Sequence, residues 1–501
     1  MQAEQPGAGR TLAAEDYLLL AAVLLLPWAF GGVEIWAHRS AALLLVASAC
    51  VAVWKRGPVG LGLVRGAGWL WPAFLLGAWG AAQLVPLPPA VIRVVSPQAY
   101  AIYAGALPGY EGKSAGAPMA LLEQQALERV DDASAWPLPE TPRPDVRPEA
   151  PACVSKHWRT ISLHPGATAE RLAWYVALLL GFLVVRERTR DPGRFRVYRW
   201  SLFAVFVALA AFALVQLQFW NGKIYWVRPV LVRAIPFGPY FNPTNLAGVM
   251  ELAVPAMAGF AWSRLRREGR PALYEAGFGA SAAGAAFCMI ATVASASKLG
   301  VLLVVAGLVA LGVLAARRMR DGLVVLAVAV PVAVAGALLM AATRLGDRFE
   351  MFVGRMQDVQ SLEGRVPVWG AGLDMFRDFP LTGAGFGSFA EVFVRYVPAG
   401  SSFRWAHAHN DYVQLLLEGG LVAALLVSWL IVGYTRRVGR SLRSPGGGSP
   451  GRIGLVVGAV ALAVHALFDF NHQVPANALL WVCVCGLLLH RGVRYGRGGR
   501  P

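Results

Sequence analysis

The chain has 501 residues, of which 56% are hydrophobic and only 15% charged, against about 25% charged in a typical soluble domain. Its net charge of +17 is not carried by basic grooves interleaved with aromatics, the pattern that binds nucleic acid. The arginines gather instead in short segments between long apolar runs, which argues against a nucleic-acid partner and for membrane lipids.

Apolar runs of roughly 17–25 residues cross a hydrocarbon core about 30 Å thick. In lipid only helices and closed barrels satisfy every backbone hydrogen bond. Continuous Leu/Val/Ala runs such as that from Val301 to Ala316 specify helices, because a barrel strand alternates. The expected fold class is therefore an all-α polytopic membrane protein with about 12 transmembrane helices. They fall near 17–35, 40–54, 68–85, 171–185, 200–220, 244–262, 275–294, 299–316, 322–343, 411–435, 453–469 and 474–490. Met1 to Arg10 is short and polar, and no small-residue cleavage site follows the first run, so that run reads as a retained helix.

With the N-terminus inside, every basic cluster falls on the cytoplasmic side, as the positive-inside rule requires. These clusters are Lys55 to Arg65, Arg186 to Arg199, Arg264 to Arg270, Arg317 to Arg320, Arg436 to Arg452 and the tail from Arg491. Both termini are then cytoplasmic. The chain divides into N-terminal helices (1–85), an outer loop (86–170), central helices (171–343), a second outer loop (344–410), and C-terminal helices with a basic tail (411–501). The first loop is rich in Pro and acidic residues around Trp136 to Pro151 and reads as partly disordered. The second balances its charges and is punctuated by aromatics and Gly turns, which marks a folded segment with work to do.

Charge stands where it is expensive at Lys298, after Ser295-Ala296-Ser297, between two apolar runs. A cation at that depth has a ligand or snorkels from a helix end. The second loop runs through Gly364-Arg365 and Trp369, then Asp378-Phe379-Pro380-Leu381-Thr382-Gly383-Ala384-Gly385-Phe386-Gly387. It closes with His407-Ala408-His409-Asn410-Asp411-Tyr412. The glycine string follows no strand and precedes no lysine, so it reads as a close-packed turn and not as a nucleotide loop. His409 stands just before a membrane helix, where an imidazole can accept a hydroxyl proton. No third ligand accompanies His407 and His409, so no metal is expected. The five cysteines show no zinc or disulfide spacing.

These residues resemble the O-antigen ligase/polymerase family of bacterial envelope proteins. The resemblance rests on Arg365 followed by Trp369, the Pro380-Leu-Thr-Gly-Ala-Gly385 turn, and His409-Asn410 opening a helix that reaches Gly420. Gly238 to Asn245, Val85 to Pro89 with Ser96-Pro97, Ile161 to Leu163, and His465 to Asn477 extend it over most of the chain. The family is similar to GT-C-type glycosyltransferases. Its members move a glycan from undecaprenyl diphosphate to an acceptor at the periplasmic face of the bacterial inner membrane, without metal, nucleotide or other cofactor. The acceptor is lipid A–core, a growing glycan or, in some relatives, a protein hydroxyl. One departure is Ser297-Lys298 where members usually have Ser-Arg; lysine keeps the charge but loses the bidentate fork.

The resemblance implies inverting substitution at an anomeric carbon. Negative charge growing on the leaving phosphate needs fixed cations, assigned to Arg365 and Lys298. His409 is the expected general base, with Asn410 or Asp411 orienting it. Trp369, His407, Arg233, Asn242 and Asn245 are further candidate contacts to glycan or phosphate, the asparagines being equally fitted to cap a helix. His465, Asp469 and His472 read as a packed polar cluster. A carrier of a small anion such as bicarbonate is the rival class; it predicts internal repeats and midplane charges. No repeat is seen, and Glu251 is one of few charges inside an apolar run.

Overall fold

The computed structural model describes residues 12–61, 68–107, 110, 158–230, 236–265, 276–315, 365–397, 405–444 and 447–490. The helices are α1 (Ala14–Leu25), α2 (Ile35–Arg56), α3 (Trp71–Ala82), α4 (Pro89–Val95), α5 (Pro97–Ala106), α6 (Pro165–Arg188), α7 (Pro192–Gln218), α8 (Pro243–Leu265), α9 (Ala276–Ala294), α10 (Lys298–Ala315), α11 (Arg365–Asp378), α12 (Phe389–Val392), α13 (Asp411–Leu442), α14 (Pro450–His465) and α15 (Pro475–Leu488). The strands described form one small antiparallel hairpin, Lys223–Ile224 with Arg228–Pro229.

Seven of these helices are long and apolar enough to cross a membrane: α2 with its 3-10 extension, α6, α7, α8, α9, α10 and α13; α14 and α15 are shorter apolar helices. The chain is thus a largely helical, multi-pass membrane protein. The helix expected at 322–343 lies outside the described residues. The run expected as one helix over 17–35 is broken: α1 stops at Leu25, and two 3-10 turns, Leu26–Trp28 and Phe30–Gly32, follow. Pro27 has no N–H to continue the ladder, and Gly31 has φ +71°.

The centre of the bundle is α8, with 83% of its apolar window buried. A helix apolar on all sides belongs inside. It packs along α14 and α9. A Cβ on Gly454 of α14 would lie 2.2 Å from the Pro255 carbonyl of α8, so glycine is what lets these backbones approach. At the periphery, Leu302, Val305, Val309 and Val313 of α10 are exposed at helical spacing, as a lipid-facing stripe requires.

The two ends of the bundle differ in charge. At one end, buried Glu15 and Asp16 draw in cations from three other helix ends: Arg56 at 2.8 Å, Lys55 at 3.4 Å, and Arg188 and Arg194, each at 3.3 Å from one of the two acids. Arg452 also points to a helix end, donating to the Leu488 carbonyl at 2.9 Å. At the other end a second apolar core forms, with Ile92 and Ala99 from α4 and α5, Val368 and Met375 from α11, and Phe379, Phe389, Phe393, Ala408 and Leu417. The segment after α3 therefore folds onto the segment that carries α11 and α12. Leu87 and Arg159 exchange backbone hydrogen bonds at 2.8 and 3.1 Å, which pins the start of the segment after α3 to its end.

Candidate functional site

The glycine turn is a packing device. Gly383 has φ +66° and Gly420 φ +67°, a region open to glycine at little cost. Gly420 interrupts α13 with ψ −171°. A Cβ there would lie 2.2 Å from the Leu381 carbonyl, and one on Gly383 would lie 2.3 Å from the Glu418 carbonyl. The turn is thereby pressed into the break in α13. Ala384 and Gly385 donate to the carbonyls of Leu417 and Glu418 at 3.0 and 2.9 Å. The Glu418 side chain accepts from the Gly387 amide at 2.8 Å and from the Gln414 amide at 3.1 Å.

This clasp sets the loop that carries the histidines. Gln414 Oε1 accepts from the Ala408 amide at 3.2 Å, and Trp369 of α11 donates to the Ala408 carbonyl at 2.9 Å. Ala408 is held from both sides, with His407 and His409 flanking it. His409 has φ +50°, an uncommon conformation for a residue with a Cβ, and the next residue begins a helix. Asn410 is that helix's N-cap; its Oδ1 accepts from the amides of Tyr412 and Val413, both at 3.0 Å.

The carboxylate facing His409 comes from the far side of the sequence. His409 Nδ1 lies 3.5 Å from Asp469 Oδ1, with the histidine side chain 26% exposed and the aspartate 2%. Neither Asn410 nor Asp411, expected to orient the base, occupies that place. Asp411 Oδ2 instead accepts from His472, at 2.8 Å from its amide and 3.0 Å from Nδ1, tying the start of α13 to the turn that carries Asp469. Asp469 is well served: Phe470 N donates to Oδ1 at 2.9 Å, and the Thr244 hydroxyl donates to Oδ2. Burial alone would raise its carboxyl, but His409, the charge on His465 and the Thr244 hydroxyl outweigh burial and hold it below the ordinary carboxylate range.

The first turn of α8 completes the wall. Asn242 Oδ1 accepts from the Thr244 amide at 3.0 Å and lies 2.8 Å from its hydroxyl, so this asparagine shapes the helix entry that delivers Thr244 to Asp469. Asn245 is buried, its carbonyl accepting from Asn477 at 2.8 Å and its amide lying 3.5 Å from Asn471. Lys298 opens α10 at the same end: a Cβ on Gly300 would lie 2.7 Å from Ala247 of α8. Arg365 opens α11 one turn before Trp369, on the same helix face, and its charge reaches His465. Arg233 lies outside the described residues.

His407 stacks on Phe470 at 4.3 Å, and His409 meets the same ring edge-on at 5.0 Å. Burial, helped by the Arg171 and His409 charges, pushes His407 down to about 4. It is a neutral aromatic wall at ordinary pH. Arg171 of α6 was not singled out from the sequence, because it stands at the edge of an apolar run, where a single arginine marks no site. Its side chain runs beside Gly387 and its charge reaches His407. Asp469 was left in a polar cluster because nothing in the order of residues links it to His409. Among the described residues no group of three or more His, Cys, Asp or Glu is placed to hold a metal.

A search of curated proteins returns no match. Residues 283–428, which contain Lys298, Arg365, Trp369, His407, His409, Asn410 and Asp411, match the family model described as O-antigen ligase. That segment of similarity to O-antigen ligases ends on the kinked helix that presents His409.

Proposed function

We propose that the protein is a glycosyltransferase, GT-C-like, that moves a glycan from undecaprenyl diphosphate to an acceptor hydroxyl, as an O-antigen ligase or an O-antigen or exopolysaccharide polymerase. The acceptor is lipid A–core or a growing glycan. The observation that carries this reading is that His409, inside the segment matching the O-antigen ligase model, faces a buried, ionised Asp469 brought in from beyond that segment. By the positive-inside rule the end holding Arg56, Arg188 and Arg452 faces the cytoplasm. The site end then faces the periplasm, where lipid-linked glycans are used.

In this mechanism Asp469 keeps a proton on His409 Nδ1, which leaves Nε2 to accept the proton of the attacking hydroxyl. The hydroxyl oxygen forms the new bond to the anomeric carbon as the bond to the diphosphate oxygen breaks, inverting the centre. Arg365 and Lys298 take up the charge that grows on the departing diphosphate. Trp369, Asn410 and Asp411 hold the loop and helix that aim His409, while Asn242 and Asn245 hold the first turn of α8. No step needs a metal.

The test is transfer by the purified protein in lipid, from an undecaprenyl-diphosphate-linked oligosaccharide, with and without lipid A–core. Wild type is expected to elongate the carrier-linked glycan (a polymerase) or to label core (a ligase), unaffected by EDTA. His409→Ala should lose roughly 10²–10⁴ in rate, the worth of a general base. Wild-type transfer by His409→Ala would overturn the base assignment. No transfer from folded wild type with several donors would favour a carrier of small anions.

A further inference from the structure

Glu251 is fully buried on α8, inside a membrane-spanning helix, and its Oε1 lies 2.6 Å from Nδ1 of His465, itself 2% exposed. An ionisable pair at that depth is costly and calls for a function. Packing does not require it, since α8 and α14 already meet through the glycine contact at Pro255. Two hydrogen-bonding features stand out. Pro255 has no N–H to offer the Glu251 carbonyl one turn back, and Glu251 Oε2 has no hydrogen-bond partner among the described residues. The carboxyl group therefore interacts through one oxygen, and that oxygen addresses His465.

The other nitrogen of His465 faces the site. Nε2 lies 3.9 Å from Asp469 Oδ2, and Asp469 Oδ1 lies 3.5 Å from His409 Nδ1. The four side chains lie in a row, Glu251–His465–Asp469–His409, from the helix interior to the exposed edge, the first pair hydrogen-bonded and the next two joined by charge at 3.9 and 3.5 Å. A neutral imidazole carries one N–H and serves one carboxylate, here Glu251; an imidazolium also attracts the second, Asp469, through its charge. The charged groups facing His465 are Glu251 from α8, Asp469 from the following turn and Arg365 from α11. Two acids outweigh one cation there.

We propose that Glu251 and His465 are positioning residues for the transfer reaction: Glu251 keeps His465 cationic, His465 keeps Asp469 ionised, and Asp469 keeps the proton on His409 Nδ1 so that Nε2 is the base. The inference rests on the reading of His409 given above. Neither Glu251 nor His465 touches substrate; their effect is on turnover and not on donor binding.

The experiment uses the full chain in lipid vesicles with the same carrier-linked oligosaccharide. It compares wild type, His409→Ala, Glu251→Gln, His465→Gln and the double variant Glu251→Gln/His465→Gln, with Tm measured beside kcat and KM. Each single variant is expected to lose about tenfold or more in kcat, with donor KM within about twofold. The double variant is expected to be no worse than the weaker single, because the residues act as one unit. In His465→Gln the loss of a cation beside Asp469 raises the proton affinity of His409, so the acidic limb of the pH–kcat profile moves to higher pH. Wild-type kcat in Glu251→Gln, or losses that multiply in the double variant, would overturn the proposal. Should His465→Gln not fold, the near-isosteric Glu251→Gln decides alone. Inactive His409→Ala beside fully active Glu251→Gln overturns this inference only, whereas active His409→Ala overturns the functional reading beneath it.

Discussion

Gln83 and Glu418 are 335 residues apart in the chain, yet the Gln83 amide donates to the main-chain oxygen of Glu418 at 3.0 Å. The same amide donates to the Thr382 carbonyl at 2.8 Å, and its oxygen accepts from the Phe386 amide at 3.1 Å. One fully buried side chain thus joins the end of α3, the glycine turn and the break in α13. Replacing it with leucine strands buried polar groups, each costing about 1–3 kcal/mol. Gln83→Leu should lower Tm in detergent, and Gln83→Glu, which sets a buried carboxylate against the carbonyls of Thr382 and Glu418, should lower it at least as far.

Gly420→Ala tests the break itself. Alanine at φ +67° is strained, and its Cβ would enter the Leu381 carbonyl. A residue forced into such a conformation costs of order 1–3 kcal/mol, and here a clash is added. The expected outcome is a lower Tm together with reduced transfer, because the glycine turn, Gln414 and Ala408 move with that helix. An unchanged Tm would mean α13 does not need its kink.

Asn410 offers a way to separate folding from chemistry. Its oxygen is committed to two backbone amides. Asn410→Asp keeps an acceptor there and should retain stability; Asn410→Ala should cost about 1 kcal/mol. In Asn410→Ala, which adds no charge beside His409, residual transfer should track folded protein, with no change in the shape of the pH profile. A shifted profile would give Asn410 a part in orienting the base.

The depressed pKa of His407 makes stability depend on pH. The unfolded ring takes up a proton near 6.5, whereas the folded ring stays neutral to about 4. The unfolded state therefore binds more protons across that window, and stability falls as pH drops from 6.5 towards 4. Above 6.5 both states are neutral and the effect vanishes. His407→Phe, which keeps the stack on Phe470, should flatten this slope in a Tm-versus-pH series; an unchanged slope would place the proton elsewhere.

How much of this was legible beforehand depended on whether the signal was local. Hydropathy placed α6 to α10 and α13 to α15, because each carries its own apolar run. The glycine string read as a close-packed turn, and Gly383 and Gly420 show why: its neighbours are backbone atoms. The break after Leu25 was passed over although Pro27 and Gly31 were there to mark it, since the apolar run continues through both. Helices α4 and α5 went unread because they are short and acquire their core only from α11 and α12. The partner of His409 was beyond reach for the same reason. Asp469 becomes its neighbour through the meeting of α8, α13 and α14, which no spacing along the chain encodes.

The row from Glu251 to His409 also has a consequence for the order in which the protein is made. Synthesis reaches Thr244 and Glu251 first, then His409, and His465 and Asp469 only with α14 and the turn that follows it. A chain halted at Leu442 would hold the histidine without the carboxylate it faces. On the functional reading proposed above, such a chain would lack an assembled centre and would leave a lipid-linked donor unspent.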